Sequence, residues 1–224
     1  MKVLIPARGG SKGIPNKNLI DINGKPLIFY TIKEALKVFD PNSIYVSSDS
    51  EQILSYCVKL GINIIERPKV FSGDRSTSSE VISHFIESID EKSEYEIIYL
   101  QPTSPLRTYK HIKESIDIYK SKKCNALISV SKSNEYVDKT FTLNKDYIEP
   151  LLGSSKYKEI RQDISETYYP NGAIYIFTCK SFLKDKKIPL NQVIPYIMTR
   201  VDSIDIDDNI DLEYVRIILK KENE

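Results

Sequence analysis

The chain of 224 residues has no tryptophan, two histidines and three cysteines, and each shortage removes a class of protein. Cys57, Cys124 and Cys179 are odd in number, far apart and without a C-x-x-C spacing, which argues against a disulfide framework. With only His84 and His111 beside them no zinc ligand set is complete, so the three thiols are expected to be reduced side chains in or near the core. No apolar run approaches the roughly 18 residues of a membrane-spanning helix, and the first residues lack the layout of a secretory leader. A cytoplasmic protein is the expectation. Charge of one sign is not in excess either: 32 basic side chains face 31 acidic ones, which argues against nucleic acid or an anionic membrane as partner. Repeats, low-complexity tracts and Gly/Ser-rich linkers are missing, so one domain is expected. At this length a chain buries roughly 70% of its unfolded surface and needs no metal or disulfide to build a core.

Glycine is also scarce, eight in all, yet three fall together at 9, 10 and 13. They lie in the opening stretch, where the apolar run Val3-Leu4-Ile5 reads as a buried strand and leads into a loop carrying Arg8, Lys12 and Lys17. Glycines let backbone N–H groups approach a ligand closely, and cations beside them suit a phosphate chain. The order Ser11-Lys12-Gly13 runs opposite to a Walker A loop, and Gly9-Gly10-x-x-Gly13 does not supply the dinucleotide fingerprint. At the other end, residues 202–211 hold Asp202, Asp205, Asp207, Asp208 and Asp211 without a basic residue. A basic and an acidic pole in one neutral chain suit an anionic substrate with a divalent cation. Asp205 and Asp207, two apart on an extended segment, point the same way and can meet one hard cation, Mg²⁺ being the expected one. Asp208 and Asp211 suit a helix start, where acids offset the macrodipole.

Between the poles, apolar strands alternate with amphipathic helices. Helical spacing covers Pro26–Phe39, 51–60, Val81–Ile89 and 109–120; strands are expected at Ile44–Val46, Ile62–Glu66, Tyr95–Leu100 and Ala126–Val130. Asp49, at the end of a strand, is either a site residue or half of a capping turn, with Ser50 as the helix cap. In the polar cluster Ser72–Glu80, Thr77 and Glu80 have capping-box spacing, leaving one or two hydroxyls for a ligand. Gln101-Pro102-Thr103-Ser104-Pro105-Leu106-Arg107 reads as a rigid loop that holds Gln101 and Arg107 in position. The alternation implies an α/β fold, a doubly wound, mostly parallel sheet. It breaks at 132–169, a polar, hairpin-like insert with Phe141–Leu143 and Tyr147-Ile148 as its strands. Strands then resume at Ala173–Phe177, after an Asn171-Gly172 turn, and at Val193–Met198; a last helix carries Ile210, Tyr214, Ile217 and Ile218 on one face.

Four ordered stretches, Ala7–Asn18, Leu100–Arg107, Pro170–Tyr175 and Asp202–Asp207, resemble those of bacterial CMP-sialic acid synthetases (acylneuraminate cytidylyltransferases), and the likeness spans nearly the whole chain. The resemblance implies a Rossmann-like sheet and a reaction of CTP with a nonulosonic acid giving CMP-sugar and pyrophosphate. It implies that Arg8 and Lys17 contact phosphates, with Lys12 as a further contact, and that the backbone about Ala7, together with Asn18, Arg67 and Ser78, holds the nucleotide. Gln101, Asn171 and Tyr175 would surround the sugar, while Lys139 and Arg161 would take its carboxylate from the partner subunit of a homodimer built on the 132–169 insert. Asp205 and Asp207 would bind Mg²⁺, with Asp207 a candidate catalytic carboxylate beside Arg8 and Lys17; no residue stands out as general base. Tyr169 replaces an Arg that some members carry before Pro-Asn-Gly, which leaves the acid open: legionaminic acid or another related 2-keto sugar acid is the alternative. A cytidine-nucleotide binder without catalysis is the reading from another class.

Overall fold

The computed structural model describes residues 1–89, 94–134, 136–157 and 166–221. Strand β1 (Lys2–Pro6) is followed by a loop, a two-stranded ribbon of β2 (Asp21–Ile22) and β3 (Lys25–Pro26), and helix α1 (Leu27–Leu36). Then come β4 (Ile44–Ser48), α2 (Glu51–Lys59), β5 (Asn63–Glu66), α3 (Ser78–Ser88), β6 (Glu96–Tyr99), α4 (Tyr109–Ser121) and β7 (Ala126–Lys132). The hairpin β8 (Phe141–Asn144) and β9 (Tyr147–Pro150) and the short α5 (Gly153–Tyr157) follow. The chain ends with β10 (Tyr168–Thr178), α6 (Cys179–Asp185), β11 (Val193–Met198) and α7 (Asn209–Lys221).

Seven strands form one sheet in the order β11-β7-β10-β6-β1-β4-β5, parallel except for β10, which runs against both its neighbours. Helices cover both faces. Val3 and Ile5 of β1 turn to the face packed with Ile28 and Ile32 of α1, Ile53 and Cys57 of α2, and Ile112 and Ile116 of α4. Leu4, between them, turns to the face covered by Ile82 and Phe85 of α3 and Phe182 of α6. That period-two alternation, apolar on both sides, is what a parallel strand buried between two helical layers requires. All three cysteines are thiols outside any disulfide, Cys57 and Cys179 buried and Cys124 partly so, as expected.

Three local expectations change. The first helix stops at Leu36, short of Phe39. Asn171-Gly172 is not a turn ahead of the strand. It lies inside β10, where the register against β7 shifts between Pro170 and Tyr175 and Gly172 takes φ +76°. Helix α7 buries Leu212, Val215 and Leu219, leaving Ile210, Tyr214 and Ile217 exposed. Its buried face closes a third core with Ile14, Ile22, Leu27, Leu106 and Ile206, beneath the glycine loop. The insert leaves β7 and returns in β10 as a continuation of their ladder, Tyr168 pairing with Lys132. Its hairpin forms a separate two-stranded sheet whose Leu143, Tyr147 and Ile148 are exposed.

Candidate active site

After β1 the chain goes to β4 and β5 on one side, then crosses to β6 on the other, so the carboxyl ends of β1 and β6 diverge. Open α/β sheets bind ligands at such a switch point. A cavity of about 270 Å³ opens there, and Arg8, Lys17, Asn18, Arg67, Ser78 and Gln101 all line it. Six residues spread over 94 positions of sequence therefore meet at one place.

The glycine loop is held open by its own backbone chemistry. The Ala7 N–H donates to Ser47 O at 2.9 Å, carrying the β1–β4 ladder one step further, so that N–H is not available to a ligand. Gly9 N donates to Asp49 Oδ1 at 2.9 Å, and a Cβ on Gly9 would stand 2.9 Å from Ser50 Cβ. Asp49 is thus the anchor of the glycine loop. Ser50 starts α2 without a side-chain cap. Asn18 Nδ2 donates to Arg8 O at 2.9 Å, while its Oδ1 is buried without a partner.

The two poles touch. Lys17 Nζ donates to Ile206 O at 2.6 Å and to Asp207 Oδ1 at 3.2 Å, across 190 residues. A Cβ on Gly13 would lie 2.3 Å from Asp207 O, so only glycine admits this approach of the loop to the acidic segment. The two carboxylates differ in exposure. The Asp207 side chain is 80% exposed. Asp205 is largely buried, its Oδ1 has no hydrogen-bond partner, and burial pushes its pKa above the usual range despite a hydrogen bond from Thr103. Thr103 lines the cavity, and its carbonyl accepts from Ile206 N at 2.9 Å, which brings the acids to the cavity edge.

Asp74, which nothing in the sequence pattern singles out, faces the basic loop. Its Oδ1 lies 3.2 Å from Arg8 Nη1 and its Oδ2 3.2 Å from Lys12 Nζ. Lys12 is otherwise exposed and is not among the cavity-lining residues. Thr77 and Glu80 form the expected capping box, and the adjacent Ser78 Oγ accepts from the Tyr99 hydroxyl at 3.4 Å. Arg67 is 4% exposed, and its Nε and Nη2 are buried without partners; burial lowers its pKa and Asp49 opposes that shift.

The residues assigned to the sugar separate into groups. Gln101 lines the cavity, its Oε1 2.4 Å from where a Gly172 Cβ would be. Tyr175 packs edge-on against Tyr99, ring centroids 6.0 Å apart. Asn171 is 3% exposed, and its amide is engaged inside the protein: it accepts from Ser129 Oγ at 2.6 Å and Ala173 N at 3.2 Å, and donates to Ser203 Oγ at 2.8 Å. Lys139 lies on the insert, donating to Tyr157 O with its ammonium 4.8 Å from the Tyr157 ring centroid. Arg161 lies outside the described residues. Arg107 is 1% exposed and does not reach the cavity; it donates to Gln101 O at 3.0 Å, Ala173 O at 2.8 Å and Thr31 Oγ1 at 2.6 Å. The proline loop therefore does not present Arg107; Arg107 fixes the loop.

Comparison with known proteins shows the family and the fold. A family model described as cytidylyltransferase matches residues 2–199. An N-acylneuraminate cytidylyltransferase of Streptococcus agalactiae serotype V is 36% identical over 216 residues, 95% of this chain and 51% of that protein, so the chain spans about half the length of that relative. The pseudaminic acid cytidylyltransferase of Campylobacter jejuni serotype O:2 is 31% identical over 226 residues, 99% of this chain and 97% of that one. A solved CMP:2-keto-3-deoxy-manno-octonic acid synthetase complexed with CTP superposes with a TM-score of 0.74 at 17% identity, covering 99% of this chain and 98% of that one. The last is a likeness of fold, and confirms the Rossmann-like sheet. The family model takes in the glycine loop and every residue that lines the switch-point cavity, the Campylobacter jejuni match extends over the acidic segment as well, and the chain belongs to the cytidylyltransferase family.

Proposed function

We propose that this chain transfers the cytidylyl group of CTP to a hydroxyl of a nonulosonic acid, releasing pyrophosphate. The observation that carries this is the contact of Lys17 with the Ile206–Asp207 segment at the rim of one cavity, which puts phosphate-binding cations and carboxylates on the same small volume. In the reaction the acceptor oxygen bonds to the α-phosphorus, the bond from that phosphorus to the bridging oxygen of pyrophosphate breaks, and the hydroxyl proton is lost. Such transfers depend almost wholly on positioning and charge.

Arg8 and Lys17 supply cations to the triphosphate, and Lys12 can join once a phosphate replaces Asp74 between it and Arg8. The unpartnered donors of Arg67 and the unpartnered Asn18 Oδ1 suit a cytosine, which offers ring acceptors and an exocyclic amine. The donor set also fits Mg²⁺: a buried carboxylate oxygen without a partner in Asp205 and an exposed carboxylate in Asp207 are hard oxygen ligands that leave room for phosphate. When bound, Mg²⁺ would offset charge on the phosphates. Gln101 and Tyr175 stand on the acceptor side.

Pyrophosphate release from CTP across a panel of nonulosonic acids tests the reading. Release with neuraminic, legionaminic or pseudaminic acids would identify the acid; no release with any of them, together with Mg²⁺-independent CTP binding, would make the chain a nucleotide binder. Lys17→Ala is expected to slow turnover by roughly 10²–10³-fold, the usual effect of one transition-state charge contact. A loss under about threefold would remove Lys17 from that role.

We also propose that the insert forms a homodimer, with Lys139 and Arg161 offered to the neighbouring site. Exposure of Leu143, Tyr147 and Ile148, at 76%, 76% and 62%, on a hairpin separate from the main sheet supports this. Sedimentation is expected to give a dimer for the native chain and a monomer for Leu143→Asp with Tyr147→Asp; a native monomer would refute it.

A further inference from the structure

We infer that Asn171 is a positioning residue for Asp205, acting through Ser203, rather than a contact to the sugar acid. The inference rests on the metal and reaction assigned above, but its argument is the hydrogen-bond valence of one amide. A primary amide offers two acceptor lone pairs on oxygen and two N–H donors. Oδ1 of Asn171 accepts from Ser129 Oγ at 2.6 Å and from Ala173 N at 3.2 Å. Because the Ala173 N–H can only donate, the oxygen must face it, which fixes the orientation of the amide. Nδ2 then donates to Ser203 Oγ at 2.8 Å and lies 3.3 Å from Met198 Sδ. All four sites are occupied by the protein, and the side chain is 3% exposed. Nothing remains to offer a substrate.

What the amide joins is informative. Ser129 belongs to β7, and its Oγ also accepts from Ile174 N at 2.7 Å, so Ser129 and Asn171 together satisfy two backbone N–H groups freed where the β7–β10 register shifts. Ser203 lies two residues before Asp205. The acidic segment is not part of the sheet; the ties that flank Asp205 are Asn171 to Ser203 on one side and, on the other, Ile206 N to Thr103 O and Lys17 Nζ to Ile206 O and Asp207 Oδ1, while Thr103 also bonds to Asp205 itself. Asp205 thus sits between the Ser203 tie and those at 206–207. The irregularity in β10 thus fixes the carboxylate that the cation would use, and the same irregularity places Gly172 against Gln101.

The test uses Ser203→Ala, which deletes one acceptor at a residue that does not line the cavity, beside Asn171→Ala. Two quantities are read: Mn²⁺ affinity in the presence of CTP without sugar acid, by electron paramagnetic resonance, and kcat and KM for the acid. Outer-sphere ties of this kind are typically worth 10–100-fold in metal affinity. Ser203→Ala, acting two residues from the ligand, is expected to weaken Mn²⁺ binding about three- to tenfold and lower kcat, with KM for the acid within about twofold of native. Asn171→Ala should show the same pattern, more strongly. Unchanged Mn²⁺ affinity in Ser203→Ala overturns the inference whether or not Asn171→Ala folds. So does an Asn171→Ala whose defect is confined to KM for the acid. If the native chain turns over no acid at all, the functional proposal fails while the Mn²⁺ comparison still decides the role of Asn171.

Discussion

Asp205→Asn is expected to lower Mg²⁺-dependent turnover by about 10³-fold or more, close to 4 kcal/mol of transition-state stabilisation, while leaving the melting temperature unchanged or raised. The two halves of that expectation have one cause. The Asp205 carboxylate is largely buried, one oxygen has no partner, and desolvation is the leading cause of its raised pKa, with Asp207 adding to it and Lys17 opposing it. A carboxyl whose folded pKa lies above the unfolded value holds its proton more tightly when folded. Stability therefore declines as pH rises from the unfolded pKa through the folded one, and the ionised group opposes folding at neutral pH. The neutral amide keeps the shape, removes that opposition and loses the charge a cation needs. Asp207→Asn makes the contrast. Its carboxylate is exposed and paired with Lys17, so its loss should affect turnover less than that of Asp205 and stability hardly at all. Thermal melts and Mg²⁺ titrations of both variants check the order. A larger loss of turnover from Asp207→Asn, or a melting temperature for Asp205→Asn well below native, would show that Asp205 is a structural carboxylate.

Much of the fold was legible in the sequence because each element carried its own period. The apolar run Ile97-Ile98-Tyr99 is buried at the centre of the sheet, and Ile112, Ile116 and Tyr119 face the core from α4. Helix α7 was less legible because it carries two apolar stripes. Ile210, Tyr214 and Ile217 are spaced as well for a helical face as Leu212, Val215 and Leu219, and only the third core beneath the glycine loop selects between them. In the site, Arg8, Lys17 and Gln101 were readable from the loops after β1 and β6, whereas Asn18, Arg67 and Ser78 were legible only through the resemblance. Asp74 was not, because its partners Arg8 and Lys12 lie more than 60 residues away and its own surroundings read as capping. Asn171 and Arg107 show a different limit. A polar residue in a functional stretch can serve the ligand or the backbone around it, and only three-dimensional hydrogen-bond partners separate the two.

Arg107→Leu follows from that distinction and carries the largest expected effect on stability, a loss of about 3–5 kcal/mol, which for a chain of this size lowers the melting temperature by roughly 10 °C or more. Replacing a buried ion pair by apolar side chains is often harmless because both charges leave together. Here the acceptors stay behind. Gln101 O, Ala173 O and Thr31 Oγ1 would all lose a charged donor, and each such bond is worth about 1.5–3 kcal/mol before the desolvation of the guanidinium is set against it. That desolvation is large, since burial lowers the Arg107 pKa to about 9, yet the group remains cationic at neutral pH, with Glu34 favouring the charged form. Arg107→Lys keeps the charge but loses the planar fork that reaches α1, β10 and the Gln101 loop at once, so it should recover less than half of the stability. Because Arg107 does not reach the cavity, turnover of Arg107→Leu measured well below its melting temperature should fall through misplacement of Gln101, appearing chiefly in KM for the acid. A variant that melts like the native chain but has lost kcat would instead place the guanidinium against the reacting groups.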